Sequence, residues 1–138
     1  MNQKQCRGFT LLELLVVMVI IGLLASYVGP KYFAQLGKSE TKTAKAQIES
    51  LAKALDTYRL DVGHYPSSEQ GLAALNTQPS NDAKWHGPYL AKKLPDDPWG
   101  KAYQYIMPGE HGDFDLWTLG SDGNRGGAES ATDVGSWE

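Results

Sequence analysis

The chain has 138 residues, a formal charge of −3 and one cysteine. That length holds one small domain with an appendage. The charge excludes a basic nucleic-acid surface, and a lone thiol excludes an internal disulfide framework. After residue 91 there are four Lys/Arg against nine Asp/Glu, a skew that suits a solvated acidic face or a hard-cation site.

In chain order, a polar head carrying Lys4, Cys6 and Arg7 ends at Gly8, and a nearly continuous apolar run of 20 residues follows, Phe9 to Val28. About twenty helical residues rise about 30 Å, enough to span a bilayer. A secretory signal has a shorter apolar stretch, followed by its small-residue cleavage site. Here the small residue, Gly8, comes first. The cationic head is expected to stay cytoplasmic, with the rest of the chain on the far, periplasmic side of a bacterial inner membrane. Cys6 precedes the apolar run, whereas a lipoprotein cysteine follows it. The only formal charge in the run is Glu13. A carboxylate costs about 2.5–3.5 kcal/mol at the bilayer centre and less near an end, so it calls for a partner.

Gly29-Pro30 predicts a kink or local melting, because proline deletes a helical hydrogen bond and clashes one turn back. Beyond it, Ala44, Ile48, Leu51, Leu55, Tyr58 and Val62 are spaced 4-3-4-3-4, one apolar stripe on a helix. The pattern predicts a single helix from about Phe9 to Val62, capped by Gly63. Ser67 and Gln70 fit a capping box that opens a short helix from about Ser68 to Leu75. Residues 76–98 are loop-rich, with four prolines as breakers. Tyr103–Met107 and Asp113–Leu119 read as two strands joined by a turn over Pro108–Gly112. Residues 120–138 read as a Gly-, Ser- and acid-rich loop. The fold class expected is α+β, a long N-terminal helix packed on a small antiparallel sheet.

Catalytic signatures are missing. His64, His86 and His111 are far apart in sequence with no ligand spacing, and Asp96-Asp97 between prolines reads as turn chemistry. No enzyme activity is expected. In the C-terminal loop, Asp122, Asn124, Gly127 and Asp133 fall at positions 1, 3, 6 and 12 of an EF-hand count. Position 5 is Gly126 and no helix follows, which argues against an EF-hand. Oxygen-rich glycine loops nevertheless suit Ca²⁺, which takes 6–8 oxygen ligands in irregular geometry.

The run RGFTLLELLVVMVIIGLLAS, residues 7–26, resembles the type IV pilin-like signal. The resemblance implies that a prepilin peptidase cuts between Gly8 and Phe9 and that the new Phe9 terminus is N-methylated. It divides the chain into a cleaved leader, 1–8, a transmembrane and filament-core helix, 9–30, and a periplasmic globular domain, 31–138. It also gives Glu13 a partner. In a filament its carboxylate sits near the Phe9 amine of a neighbouring subunit, which lowers the desolvation cost of both charges and fixes helix register.

Tyr65-Pro-Ser-Ser-Glu-Gln-Gly-Leu72 and Leu94-Pro-Asp-Asp-Pro-Trp-Gly100 are similar to the major, G-type pseudopilins of type II secretion. The similarity continues through Tyr103-Gln-Tyr, Pro108-Gly-Glu-His-Gly, Leu119-Gly-Ser-Asp-Gly and Asp133-Val-Gly-Ser-Trp137. It implies a pilin-like fold and a structural Ca²⁺ held by the Leu119 carbonyl, Asp122 and Asp133, with Asn124 and Ser130 as further ligands. Many relatives carry an additional acid where this chain has Thr132, a departure that bears on ligand number. The ion would staple a loop that has no disulfide. The implied function is structural, a self-polymerising subunit of a periplasmic pseudopilus that helps export folded proteins. Its implied partners are minor pseudopilins, the prepilin peptidase, an inner-membrane assembly platform and an outer-membrane secretin. The alternatives are a type IV pilin, a minor pseudopilin, or a membrane-anchored binding module.

Overall fold

A computed structural model describes residues 7–138. Helix α1 spans Leu11–Val62, and short 3-10 turns follow at Leu72–Leu75 and Glu129–Ala131. Strands β1 (Gln104–Ile106), β2 (Asp115–Thr118) and β3 (Val134–Gly135) form one antiparallel sheet in the order β1-β2-β3. Tyr105 faces Leu116 across the first pair, and Thr118 faces Val134 across the second. The chain divides into two compact units, one ending at Leu36 and the other running from Gly37 to Glu138.

The first unit is helix alone. Its apolar side chains from Leu11 to Val28 are exposed on every side. The helix is uninterrupted through Pro30, so the melting anticipated there does not occur. One proline removes one i→i−4 bond, and the bonds on either side keep the turn closed.

The second unit holds the core. Ala44, Ile48, Leu51, Leu55 and Tyr58 of the predicted stripe are buried, Val62 is partly buried, and Ala54 joins them. They pack with Leu72, Ala74, Leu75, Tyr103, Leu116 and Val134. The stripe therefore folds against the 3-10 turn and one face of the sheet, because that face alone is apolar at helical spacing. Gly63, at φ 98°, ends the helix with its N–H on the Arg59 carbonyl at 2.8 Å.

Buried carboxylates tie the loops down. Asp82 accepts hydrogen bonds from Tyr58 Oη and Gln70 Nε2 and pairs with His64 Nε2 at 3.1 Å. Asp97 accepts from the backbone N–H groups of Trp99 and Lys101, and from the Thr118 hydroxyl of β2. The Pro-Asp-Asp-Pro-Trp-Gly segment is thus a turn locked by its second aspartate, and Trp99 donates its indole N–H to Glu40 at 2.9 Å.

Three sequence expectations need adjustment. The capping box forms, with Ser67 N–H on Gln70 Oε1 at 2.8 Å and Gln70 N–H on Ser67 Oγ at 3.2 Å. The helix after it does not run on from Ser68, because Gly71 at φ 61° interrupts the chain and only Leu72–Leu75 forms a 3-10 turn. Both long strands are shorter than expected. Residues 120–138 are more than a loop, since β3 lies within them and Val134 joins the core at 1% exposure. Its two residues are too few to show a period of two, and Gly135 hides the rest of the signal. The strand is clamped by the Ser136 N–H on the Leu116 carbonyl at 2.8 Å and the Leu116 N–H on Ser136 Oγ at 3.2 Å.

Candidate functional site

At the amino end, Gly8 and Phe9 lie in exposed, non-helical chain just ahead of α1. Phe9 is 85% exposed, and among the described residues nothing beyond its chain neighbours lies within 4 Å of a Cβ placed on Gly8. A bond in such a segment is open to a peptidase. Lys4 and Cys6 lie outside the described residues. Glu13 is in the first turn of α1. Its own N–H donates to Thr10 Oγ1 at 3.2 Å, and the Thr10 N–H donates to Glu13 Oε2 at 3.4 Å. This reciprocal pair is a capping box, and the helix dipole adds to it by favouring a negative charge at this end. The sequence reading assigned Glu13 a partner in another subunit and passed over this one. The pattern Thr-x-x-Glu immediately before an apolar run was the available signal.

Fifteen large apolar side chains from Phe9 to Val28 are exposed. Fully burying a side chain such as Leu, Ile or Val gains about 1.5–3 kcal/mol, so a surface this extensive needs a cover of lipid or of like helices. Among the described residues, α1 is the helix long and apolar enough to cross a membrane.

The C-terminal loop leaves β2 at Leu119 and returns at Val134. Gly120, at φ 69°, fits closely under the Ser130–Ala131 backbone, where an added Cβ would lie 2.8 Å from the Ala131 carbonyl carbon. The Ser121 N–H donates to the Ser130 carbonyl at 2.9 Å, and the two serine hydroxyls are 3.3 Å apart. Asp122 Oδ1 accepts the Asn124 N–H at 2.9 Å. Asp133 Oδ2 accepts the Gly126 N–H at 2.9 Å. Ser121 and Ser130 are therefore drawn together at the loop's neck, Leu119 and Asp133 directly follow and precede the paired residues Thr118 and Val134, and Asp122 and Asn124 are exposed. Asp133 Oδ1 is buried and has no hydrogen-bond partner among the described residues. An orphaned carboxylate oxygen is costly, about 1–3 kcal/mol or more for a charged group. A hard cation is one ligand that would satisfy such an oxygen. The candidate donors are all oxygen, the donor type Ca²⁺ takes, and among the described residues no three acidic, histidine or cysteine side chains converge on one point.

The histidines lie apart. His64 pairs with Asp82, His86 Nδ1 contacts the Lys84 carbonyl at 2.6 Å, and His111 Nδ1 lies 2.8 Å from Asp115 Oδ2. Asp115 also accepts the backbone N–H groups of Glu110 and His111. Burial opposes its ionisation, but the His111 contact and the two N–H groups prevail and hold its carboxyl below the usual value. The His111 ring stacks on Trp137 at 4.2 Å. A cleft of about 160 Å³ beside them is lined by Asp115, Trp117, Arg125, Asp133 and Trp137, smaller than an ordinary small-molecule site.

The model of the prokaryotic N-terminal methylation motif matches residues 3–28. The family model described as type II secretion system (T2SS), protein G matches residues 31–137. The chain belongs to the type II secretion protein G family. Its relatives include the type II secretion system core protein G of Pseudomonas aeruginosa, 45% identical over all of this chain and 99% of that protein. The core protein G of Vibrio cholerae is 47% identical over 99% of this chain and 94% of the relative. The crystal structure of the major pseudopilin from the type 2 secretion system of enterohaemorrhagic Escherichia coli is 33% identical, with a TM-score of 0.65 over 76% of this chain and 92% of that one. The helix-and-sheet architecture is thus that of a pilin-like protein. Within the family frame, Gly8, Phe9 and Glu13 fall inside the methylation motif, and the entire loop from Leu119 to Asp133 falls inside the protein G match.

Proposed function

We propose that the chain is the major pseudopilin of a type II secretion system, a structural subunit that polymerises with copies of itself into a periplasmic filament and catalyses nothing. The observation that carries this reading is the stretch Leu11–Val28 of α1, apolar and exposed on every face and bearing one carboxylate in its first turn. In the inner membrane lipid covers that surface. In the filament the helices of other subunits cover it. The head 1–8 is a leader removed by the prepilin peptidase after Gly8, and Phe9 becomes the methylated terminus. Glu13 then faces two claims, its own capping box and the ammonium of a neighbouring Phe9. Desolvation on assembly favours the charged partner. The domain from residue 31 onward lies in the periplasm. There it would meet minor pseudopilins, and the filament would work between an inner-membrane platform and an outer-membrane secretin.

The loop of Leu119, Asp122, Asn124, Ser130 and Asp133 is proposed as a Ca²⁺ site. The orphaned Asp133 Oδ1 supports this, and so does the paucity of apolar residues to hold residues 120–133 in place. When bound, the ion would neutralise the two carboxylates and cross-link the neck of the loop. Asp133 adjoins Val134 of β3, so ordering the loop would also secure the sheet's last strand.

The test is complementation. In a bacterium lacking its own protein G, this chain should restore export, and the protein recovered should begin at N-methylated Phe9 by mass spectrometry. Recovery of an uncut chain, with export restored, would contradict the processing scheme. Correct processing without export or filaments would contradict the pseudopilin reading.

A further inference from the structure

We infer that Lys101 is a tethered counter-cation of the C-terminal loop that competes with the calcium ion proposed there. The inference rests on that calcium reading and concerns the regulation of the same site. Its basis is the placement of the Lys101 ammonium. Lys101 Nζ donates to the Ser121 carbonyl at 3.4 Å. It also occupies the space over Gly123, where an added Cβ would lie 2.5 Å from Nζ. Gly123 has φ 68°, a conformation that glycine adopts freely and that leaves this face of the turn without a side chain. Asp122, a proposed ligand, lies between the two residues that Lys101 touches.

The position is imposed from the opposite side. The Lys101 N–H donates to Asp97 Oδ1 at 2.8 Å, and the Lys101 carbonyl accepts the Asp97 N–H at 2.7 Å. Asp97 is buried and also accepts the Thr118 hydroxyl at the end of β2, one residue before the loop begins. The lysine backbone and the last residue of β2, from which the loop departs, are therefore fixed to the same carboxylate. The side chain has a short reach to cover, and its charge arrives where the loop is acidic. A neighbouring Ca²⁺ would meet a like charge. Taking the physiological screening length of about 8 Å as the scale, a +1 and a +2 charge in water repel enough to weaken binding about fivefold at low salt, and less as salt screens them.

The experiment is calorimetric titration of the detergent-solubilised full-length protein with CaCl₂ at low and physiological salt, in the parent, Lys101→Met and Lys101→Arg. Lys101→Met should bind about fivefold tighter than the parent at low salt, with the difference shrinking as salt rises. Lys101→Arg should match the parent. Melting of the same samples checks that all three fold. Equal affinities in all three, or an equal gain in the Arg variant, would overturn the role of Lys101 and leave the calcium site standing. No binding in any of them would overturn the calcium site itself, and this inference with it.

Discussion

The two halves of α1 share one backbone and have opposite relations to the rest of the chain. From Leu11 to Val28 the helix is apolar all round and buries nothing. From Gly37 to Val62 it carries one apolar stripe, and that stripe is the floor of the core. A stripe identifies a helix whose partner is in the same chain, whereas a fully apolar surface identifies one whose partner lies outside it. The first half is therefore the part left for the proposed membrane and filament to cover, and the second half already packs into the domain core.

The contrast can be broken most sharply by substitution. Leu55→Ala, in the stripe, should cost about 2–5 kcal/mol and lower the melting temperature of the domain by several degrees. Leu15→Ala, in the exposed run, should leave that melting unchanged. Equal destabilisation by the two would erase the distinction. Calcium removal comes next. At an ion concentration about 100 times the dissociation constant, binding contributes about 2.7 kcal/mol, so chelator should lower the melting temperature of the parent protein and have little effect on Asp133→Asn. A melting point unmoved by chelator would remove the proposed staple.

A smaller effect follows from Asp115. Its carboxyl is held below the usual value, so its stabilisation is complete above about pH 4 and is lost as pH falls through the lower folded value. Asp115→Asn should be less stable at neutral pH and show a shallower acid loss below about pH 4, measured by urea midpoints across pH. A parallel acid loss in both proteins would sink this assignment. The smallest effect is local. Ser67→Ala removes one arm of the capping box and should cost about 1 kcal/mol, seen as a modest shift of the urea midpoint.

How far the sequence reached depended on the range of each signal. The helix Leu11–Val62 and its buried stripe were legible because periodicity over five turns is a strong local pattern. Gly63 and the Ser67–Gln70 box were legible as cap chemistry. Val134–Gly135 was not, because a two-residue strand exists only through its pairing with Trp117 and Thr118. Asp97 reads in sequence only as turn chemistry, and Asp82 carries no signal of its own. Their burial comes from contacts with Tyr58 and Thr118, each more than twenty residues away, and no local pattern encodes that. At the site, Gly8, Phe9 and Glu13 were marked by the junction of a polar head with an apolar run. The Thr10 cap is equally local, a Thr-x-x-Glu pattern at the start of that run. The loop ligands were nominated by resemblance and oxygen content, and the orphaned Asp133 oxygen emerges only once the chain is folded.

The central claim is that Glu13 acts between subunits while the domain folds without it. Electron microscopy of filaments from cells overproducing the parent or Glu13→Ala tests it most directly, with thermal melting of both purified proteins alongside. The account predicts filaments from the parent, none or few from Glu13→Ala, and superimposable melting of the globular domain. Normal filaments from the variant would contradict it.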